Sequence, residues 1–312
     1  MRTALSSSTR PLEDDNACRH LIGSARSGIC FRERAFIQLI TRSKHTNPMI
    51  ARALFTAVLM LSSRAKSADL PTFVDLPSGQ IIGAHAGGKW LSSEQAGKAL
   101  EPGRKYRLFT LTGKTGDTVG GKAAPNAEVC PDVWELTMQP TTEQGSIALA
   151  VPWNPMPRTA KASDKTQEIY VKAAHDFLVS KGIAKPVVKI TQLLRIDLDG
   201  QGEDEVLLSA TNYPGEEGES PYHAEAGNYS FVLLRQVTDG KVQTKLIDGE
   251  FYPKASESQT PYRYEVSGLL DLDGDGRLEI IIYSAYYEGA TVTVWRFDKG
   301  KLHKVLEIGC GA

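Results

Sequence analysis

The chain carries one short acidic pattern twice, and this repeat limits the folds that the sequence can adopt. Residues 197–202 read DLDGQG and residues 271–276 read DLDGDG, so the two copies start 74 residues apart. Each copy lies between runs rich in valine, isoleucine and leucine, which favour β-strands. Glycine tolerates the positive φ that a sharp turn requires. We therefore expect both copies to be tight loops that join neighbouring strands.

Each copy predicts the same order of elements: strand, acidic loop, strand, variable loop, strand, tight turn and strand. The predicted strands are residues 186–196, 205–211, 229–237 and 241–248 in the first copy, and 262–270, 278–285, 291–297 and 302–308 in the second. An antiparallel four-stranded meander that recurs along a chain is typical of β-propeller blades. A closed propeller takes about 4–8 blades. Residues 186–312 are therefore expected to form two blade-like meanders, in a mainly β protein with a partial or degenerate propeller.

The oxygen-bearing side chains of each loop recur at positions 1, 3, 5 and 9. The eight candidate metal ligands are Asp197, Asp199, Gln201 and Glu205 in the first loop, and Asp271, Asp273, Asp275 and Glu279 in the second. Calcium takes about 6–8 oxygen ligands, and alternating acids on a tight loop can converge around it. An EF-hand needs a glutamate at position 12, where this chain has Leu208 and Ile282. The sequence thus predicts calcium in two β-hairpins, bound more weakly where Gln201 replaces an acid, although solvated acidic turns without an ion remain the alternative.

The segments DLDGDGRLEIII and DLDGQGEDEVLL resemble the acidic loops of the FG-GAP/VCBS repeats, which occur in integrin-like propellers and in many bacterial secreted proteins. The resemblance covers about residues 186–310. It implies calcium at the eight positions named above and a role in adhesion or ligand binding. The Phe-Gly and Gly-Ala-Pro elements for which the family is named are not found in this chain.

The first 68 residues have the composition of a targeting segment that is removed from the mature protein, not of a folded domain. Residues 49–68 have a basic start, a nine-residue apolar run and a small-residue end, which is the order of a secretory signal peptide. A membrane-spanning helix needs ~20 apolar residues, so we expect no integral membrane span and a periplasmic or secreted protein. Residues 1–48 are either sequence upstream of a true start at Met49 or an organelle transit peptide.

We expect a β-rich region over residues 69–160. Residues 163–182 are expected to form one helix, which packs against the strands. The expected N-terminal strands are residues 80–84, 105–112, 133–138 and 146–151. In the helix, Asp164 and Gln167 have the spacing of a capping-box variant. Apolar side chains then recur at helical spacing until Gly182 supplies a stop signal.

Two cysteines, Cys130 and Cys310, follow the predicted cleavage site. An even number of cysteines in an exported chain suggests a disulfide. The alternative is a pair of separate buried thiols.

The net charge and the absence of two hydrolase motifs argue against some classes of function for this chain. Of the 36 Lys/Arg and 37 Asp/Glu residues, the first 68 positions hold 11 and 4, so the remainder has 25 basic and 33 acidic side chains and a net charge of −8. A nucleic-acid partner requires a basic surface, so none is expected. The chain has no HExxH motif and no GxSxG nucleophile elbow, which mark two large classes of hydrolase.

Tyrosines in two variable loops suggest a ligand-binding surface. The segment 212–227 contains Tyr222, and Tyr286 and Tyr287 occupy the corresponding loop of the second copy. Long loops between strands often carry binding function. We therefore expect an exported, calcium-stabilised binding or structural module without enzymatic activity, with an unidentified protein or glycan ligand. A secreted hydrolase that uses the calcium meanders as a scaffold is the alternative.

Overall fold

The computed structural model describes residues 70–139, 146–214 and 220–311. The predicted export signal and the segment upstream of it lie outside these ranges. Eighteen β-strands and two α-helices are found in the described ranges. The prediction of a mainly β protein is confirmed.

The N-terminal region forms a seven-stranded antiparallel sheet with a small two-stranded sheet beside it. Its strands are β1 Thr72–Asp75, β2 Ile81–Ala86, β3 Lys89–Leu91, β4 Arg104–Thr110, β5 Gly113–Gly120, β6 Ala124–Asn126, β7 Cys130–Glu135, β8 Met138–Gln139 and β9 Ile147–Ala150. The large sheet has the order β3-β2-β1-β9-β4-β5-β8, and β6 pairs with β7. Because β9 lies between β1 and β4, this region is not a simple blade-like meander.

The described ranges contain two helices, so the prediction of a single helix was incomplete. Helix α1, Ser93–Ala99, begins with a capping box between Ser92 and Gln95. The predicted helix is present as α2, Glu168–Ser180, and starts five residues later than expected. Asp164 does not cap it, because the carboxylate of Asp164 accepts a hydrogen bond from the backbone N–H of Thr166 instead (2.9 Å).

The two predicted meanders are present as two antiparallel sheets. The first contains β10 Lys161–Ala162, β11 Ile190–Ile196, β12 Glu205–Thr211, β13 Asn228–Thr238 and β14 Lys241–Tyr252; the second contains β15 Arg263–Leu270, β16 Glu279–Tyr286, β17 Gly289–Asp298 and β18 Lys301–Gly311. Neighbours along the chain pair in order in both sheets. Strand β10 is a fifth strand that the sequence did not predict; it pairs with β11 at the sheet edge.

The three large sheets stack face to face, with the four-stranded sheet in the middle. Side chains alternate along a strand, so Ile280 and Ile282 of β16 pack in one core with residues of the five-stranded sheet such as Val232. Ile281 points the other way and packs in a second core with the N-terminal sheet, including Phe73. Successive blades of a propeller stack in a similar way, but the described sheets do not close into a ring.

The two helices cover the outer faces of this stack. Ala96 of α1 belongs to a core with Leu108 of the N-terminal sheet. At the other end, Ala174 and Leu178 of α2 pack with Phe231 and other residues of the five-stranded sheet. The four-stranded sheet is therefore the most enclosed of the three.

Cys130 and Cys310 form the predicted disulfide, with Cα atoms 5.8 Å apart. It joins β7 to β18 across a sequence separation of 180 residues. In the chain-entropy account, closing a loop of this length stabilises the folded protein by ~5 kcal/mol. In the described part of the chain, no helix is both long enough and apolar enough to cross a membrane.

Candidate metal centre

The two acidic segments are hairpin loops at equivalent places in their sheets. Loop 1, residues 197–205, joins β11 to β12, and loop 2, residues 271–279, joins β15 to β16. The glycines at positions 4 and 6 of each loop have left-handed φ angles: Gly200 79°, Gly202 92°, Gly274 80° and Gly276 84°. These positions need glycine because other residues are strained there.

In loop 2, the backbone folds around the first aspartate. Asp271 Oδ1 accepts a hydrogen bond from Gly274 N (2.7 Å), and its Oδ2 accepts one from Gly276 N (3.0 Å). At the end of the loop, Glu279 Oε2 accepts from Leu272 N (2.8 Å). These bonds direct the acidic side chains of the loop towards one another.

Loop 1 has the same pattern of hydrogen bonds. Asp197 Oδ1 accepts from Gly200 N (2.7 Å), and Asp197 Oδ2 accepts from Gly202 N (2.9 Å). Glu205 Oε2 accepts from Leu198 N (2.9 Å). The three hydrogen bonds of loop 2 thus recur at the equivalent residues of loop 1, so the repeat in sequence is also a repeat in structure.

Six of the eight predicted ligands form two compact clusters. In loop 2, Asp271, Asp273 and Asp275 each place a carboxylate oxygen within 4.8 Å of the others, and in loop 1 the same holds for Asp197, Asp199 and Glu205. Gln201 lies next to the cluster of loop 1, where its Nε2 donates a hydrogen bond to Asp199 Oδ2 (2.9 Å). Glu279 lies outside the compact set in loop 2, although the charges of that set act on it.

Glu279 is the most unusual group of the site. It is 0% exposed, and its Oε1 has no hydrogen-bond partner. Burial, together with the negative charges of Asp273 and Asp275, raises the pKa of Glu279 well above its usual range. Because a buried polar atom without a partner is costly, this oxygen marks a place where a cation would fit.

Other carboxylates of the two loops are also costly to ionise. Burial is the largest cause that raises the pKa of Asp271 and of Asp273, and the charge of Asp275 adds to it in both. In loop 1, burial and the charge of Asp199 raise the pKa of Glu205 to about 7. A divalent cation between these oxygens would favour the ionised forms.

Loop 2 has an internal counter-ion that the sequence did not predict. Arg296 of β17 donates from Nη2 to Asp275 Oδ2 (2.6 Å), and its Nη1 lies 3.5 Å from Asp273 Oδ2. The residue that occupies the position of Arg296 in the first meander is Gln236 of β13, which carries no charge. In the described ranges, no basic side chain forms an ion pair with a candidate ligand of loop 1. An arginine near the end of a mostly apolar and β-branched strand was the one weak sign of this contact in the sequence.

The tyrosine-bearing loops meet in space and form a surface that we call the tyrosine face: Tyr222, Tyr262, Tyr286 and Tyr287. The rings of Tyr222 and Tyr287 are 4.6 Å apart, and those of Tyr262 and Tyr286 are 4.9 Å apart. Tyr222 is 66% exposed and Tyr287 is 42% exposed. The face lies at the far end of β16 from loop 2, since Glu279 begins this strand and Tyr286 ends it.

The hydrolase alternative requires a histidine clustered with a carboxylate or serine. The histidine ion pair found in the described part of the chain joins His175 Nδ1 to Asp176 Oδ1 (3.5 Å), on an exposed part of α2. The ring of His85 packs against Trp90, with centroids 4.8 Å apart. Neither arrangement has the geometry of a base beside a nucleophile.

Comparisons with known proteins give no relative. No protein-family model, no curated protein and no solved structure matches this chain. The resemblance to FG-GAP/VCBS repeats therefore stays a prediction that depends on the two acidic segments.

Proposed function

We propose that this protein is an exported, calcium-stabilised binding or structural module without enzymatic activity. The observation that carries the proposal is Glu279 Oε1, a buried carboxylate oxygen without a hydrogen-bond partner. The charges of the three clustered aspartates of the same loop act on this carboxylate. Calcium at loop 2 would take carboxylate oxygens from Asp271, Asp273, Asp275 and Glu279. Oxygen ligands and an irregular, flexible geometry suit calcium better than magnesium, which demands a near-ideal octahedron.

Loop 1 would hold a second calcium ion with Asp197, Asp199 and Glu205. Gln201, whose Nε2 donates a hydrogen bond to Asp199 Oδ2, would offer its neutral amide oxygen in place of a fourth carboxylate. The expected role of both ions is structural, since each neutralises acids that repel one another and joins the two strands of a hairpin. An ion at loop 2 would thereby stabilise the sheet in the middle of the stack.

The tyrosine face is the surface that we propose for binding. Tyrosine combines a flat apolar ring with a hydroxyl that can form hydrogen bonds, and it is enriched in binding interfaces. Two exposed tyrosines from separate loops lie ring to ring here. The ligand would be a glycan or a protein, and a screen of glycans and peptides with wild-type protein and Tyr287→Ala would identify its class.

The central experiment is a calorimetric titration of the purified protein with calcium, together with thermal melts in calcium and in EDTA. We expect saturable calcium binding, a higher melting temperature with calcium, and a weaker response to magnesium. A ligand that binds only the folded state stabilises it by ~2.7 kcal/mol at a hundredfold excess over its Kd. If EDTA leaves the melting curve at its calcium-saturated position, the loops are acidic turns and the proposal is wrong.

Export is tested separately by mass spectrometry of the protein recovered outside the cytoplasm. The expected mature N-terminus lies between Lys66 and Asp69, after the apolar run of the predicted signal. A stable cytoplasmic product that begins at Met1 would contradict export.

A further inference from the structure

The connection between β9 and β10 contacts both acidic loops, and we call its residues 152–158 the strap. Trp153 Nε1 donates a hydrogen bond to the backbone carbonyl of Asp271 (2.8 Å). The carbonyl of Pro155 accepts a hydrogen bond from the backbone N–H of Asp271 (2.7 Å). Both backbone polar groups of this candidate ligand are therefore held by the strap.

The strap also packs directly on the turn of loop 2. A Cβ atom at Gly274 would lie only 3.2–3.3 Å from three carbon atoms of the Trp153 indole. Contacts this close leave little space between the indole and the loop backbone. The indole thus restricts movement of the turn that carries Asp273 and Asp275.

Arg158, at the end of the strap, joins the two loops to each other. Its Nε donates to the carbonyl of Asp197 (2.5 Å), and its Nη2 contacts the carbonyls of Leu198 (3.2 Å) and Gly276 (2.8 Å). Leu198 also accepts a hydrogen bond from the backbone N–H of Leu278 (2.8 Å). One guanidinium therefore binds the turn of loop 2 and the start of loop 1 at the same time.

We propose that the strap positions the cation ligands of loop 2, with Arg158 and Trp153 as positioning residues. The inference rests on the proposed calcium binding at that loop. Groups that orient metal ligands typically change metal affinity by about 10–100-fold when they are mutated. Arginine suits this place because its planar fork can reach several carbonyls at once, whereas lysine carries a single compact charge.

The test measures calcium affinity at loop 2 by calorimetry, in a parent chain that carries Asp199→Ala so that loop 1 contributes little. Arg158→Gln is expected to weaken calcium binding about tenfold. Trp153→Phe keeps the ring on Gly274 but loses the hydrogen bond to Asp271, and about a threefold loss is expected. Arg158→Lys keeps the charge without the fork and should not restore affinity.

Arg195→Gln is the matched control, because Arg195 lies beside loop 1 and pairs with Asp204 (3.6 Å). It removes the same charge and should leave the affinity unchanged. Circular dichroism establishes that each variant is folded at the titration temperature. Melts with and without calcium add a second measurement, since a purely structural role would lower both melting temperatures equally, whereas a positioning role reduces the gain that calcium gives.

The outcomes separate this inference from the proposed function. If wild type and parent bind no calcium, the proposed function fails and the strap has no cation site to position. If the parent binds calcium and Arg158→Gln binds it equally well, the proposed function stands and the strap inference is overturned. Full affinity in Arg158→Lys would also overturn it, because charge alone would then be sufficient.

Discussion

Loop 1 and loop 2 have the same pattern of backbone hydrogen bonds, but they differ in the number of acidic ligands and in the side chains that contact these acids. Loop 2 has four acids, and Arg296 contacts two of them. Loop 1 has three acids among its candidate ligands, and the amide of Gln201 donates to one of them. With the candidate ligands ionised and Arg296 counted, the two sets of ligands each carry a charge of −3. The number of charges therefore does not rank the two sites, contrary to what the sequence alone suggests.

Burial distinguishes the loops instead. Glu279 is 0% exposed and has an oxygen without a partner, whereas Glu205 is 9% exposed and none of its oxygens is orphaned in this way. Loop 2 belongs to the middle sheet of the stack, and its Leu272 packs in the core shared with the N-terminal sheet. A cation would therefore stabilise loop 2 more than loop 1, because the neighbouring sheets remove more water from the carboxylates of loop 2.

The largest effect that we expect is a pH dependence of the calcium-free protein. The folded protein holds the proton of Glu205 to a pKa of about 7 instead of 4.5. Well below pH 4.5, Glu205 is protonated in both the folded and the unfolded protein, so it does not change the free energy of unfolding. As the pH rises towards 7, Glu205 ionises in the unfolded protein but stays largely protonated in the folded one, so the free energy of unfolding falls. A shift of this size is worth about 3 kcal/mol at ~1.4 kcal/mol per pKa unit. Urea melts in EDTA across this pH range measure the loss, and calcium should abolish most of it.

Matched variants turn this pH dependence into a comparison of the loops. Glu279→Gln and Glu205→Gln each remove one titrating group and keep an oxygen that can accept the backbone hydrogen bond. Because Glu279 is fully buried whereas Glu205 is 9% exposed, Glu279→Gln should remove the larger part of the loss of stability. Equal effects of the two variants would contradict the ranking by burial.

The next effect concerns the stability that calcium adds. Asp273→Ala should remove most of that gain, which is ~2.7 kcal/mol at a hundredfold excess of calcium, and Asp199→Ala should remove less. Without calcium, neither variant should be less stable than wild type, because each deletes one of several mutually repelling carboxylates. Thermal melts in calcium and EDTA provide the measurement. A larger loss from Asp199→Ala would reverse the order of the two sites.

Local spacing accounts for what the sequence predicted correctly. Glycines at fixed offsets and alternating apolar residues determine a hairpin within a few positions, so both loops and the eight strands around them were predictable. The pairing of Cys130 with Cys310 also followed, because only two cysteines remain after the predicted cleavage site. Helix α1 had a visible signal in the capping box of Ser92 and Gln95, but its seven residues give little helical periodicity.

Contacts between distant elements account for what the sequence did not predict. Arg296 reaches loop 2 from β17, and Arg158 reaches both loops from the connection between β9 and β10. The insertion of β9 between β1 and β4 is likewise a tertiary pairing. No spacing within a short window encodes such contacts, because they depend on how the sheets stack.

The smallest effect tests whether Arg296 competes with the cation. Its guanidinium holds Asp275 at 2.6 Å while its own Nε is buried without a hydrogen-bond partner, so the contact is imperfect and a divalent ion could displace it. Ion pairs of this exposure are worth up to about 1 kcal/mol, so Arg296→Gln should tighten calcium binding by up to about fivefold and slightly destabilise the calcium-free protein. Arg277→Gln is the control, because Arg277 pairs with Asp298 and not with the loop acids. Weaker calcium binding in Arg296→Gln, measured by calorimetry, would show that the arginine supports the site of loop 2 and does not compete with its ion.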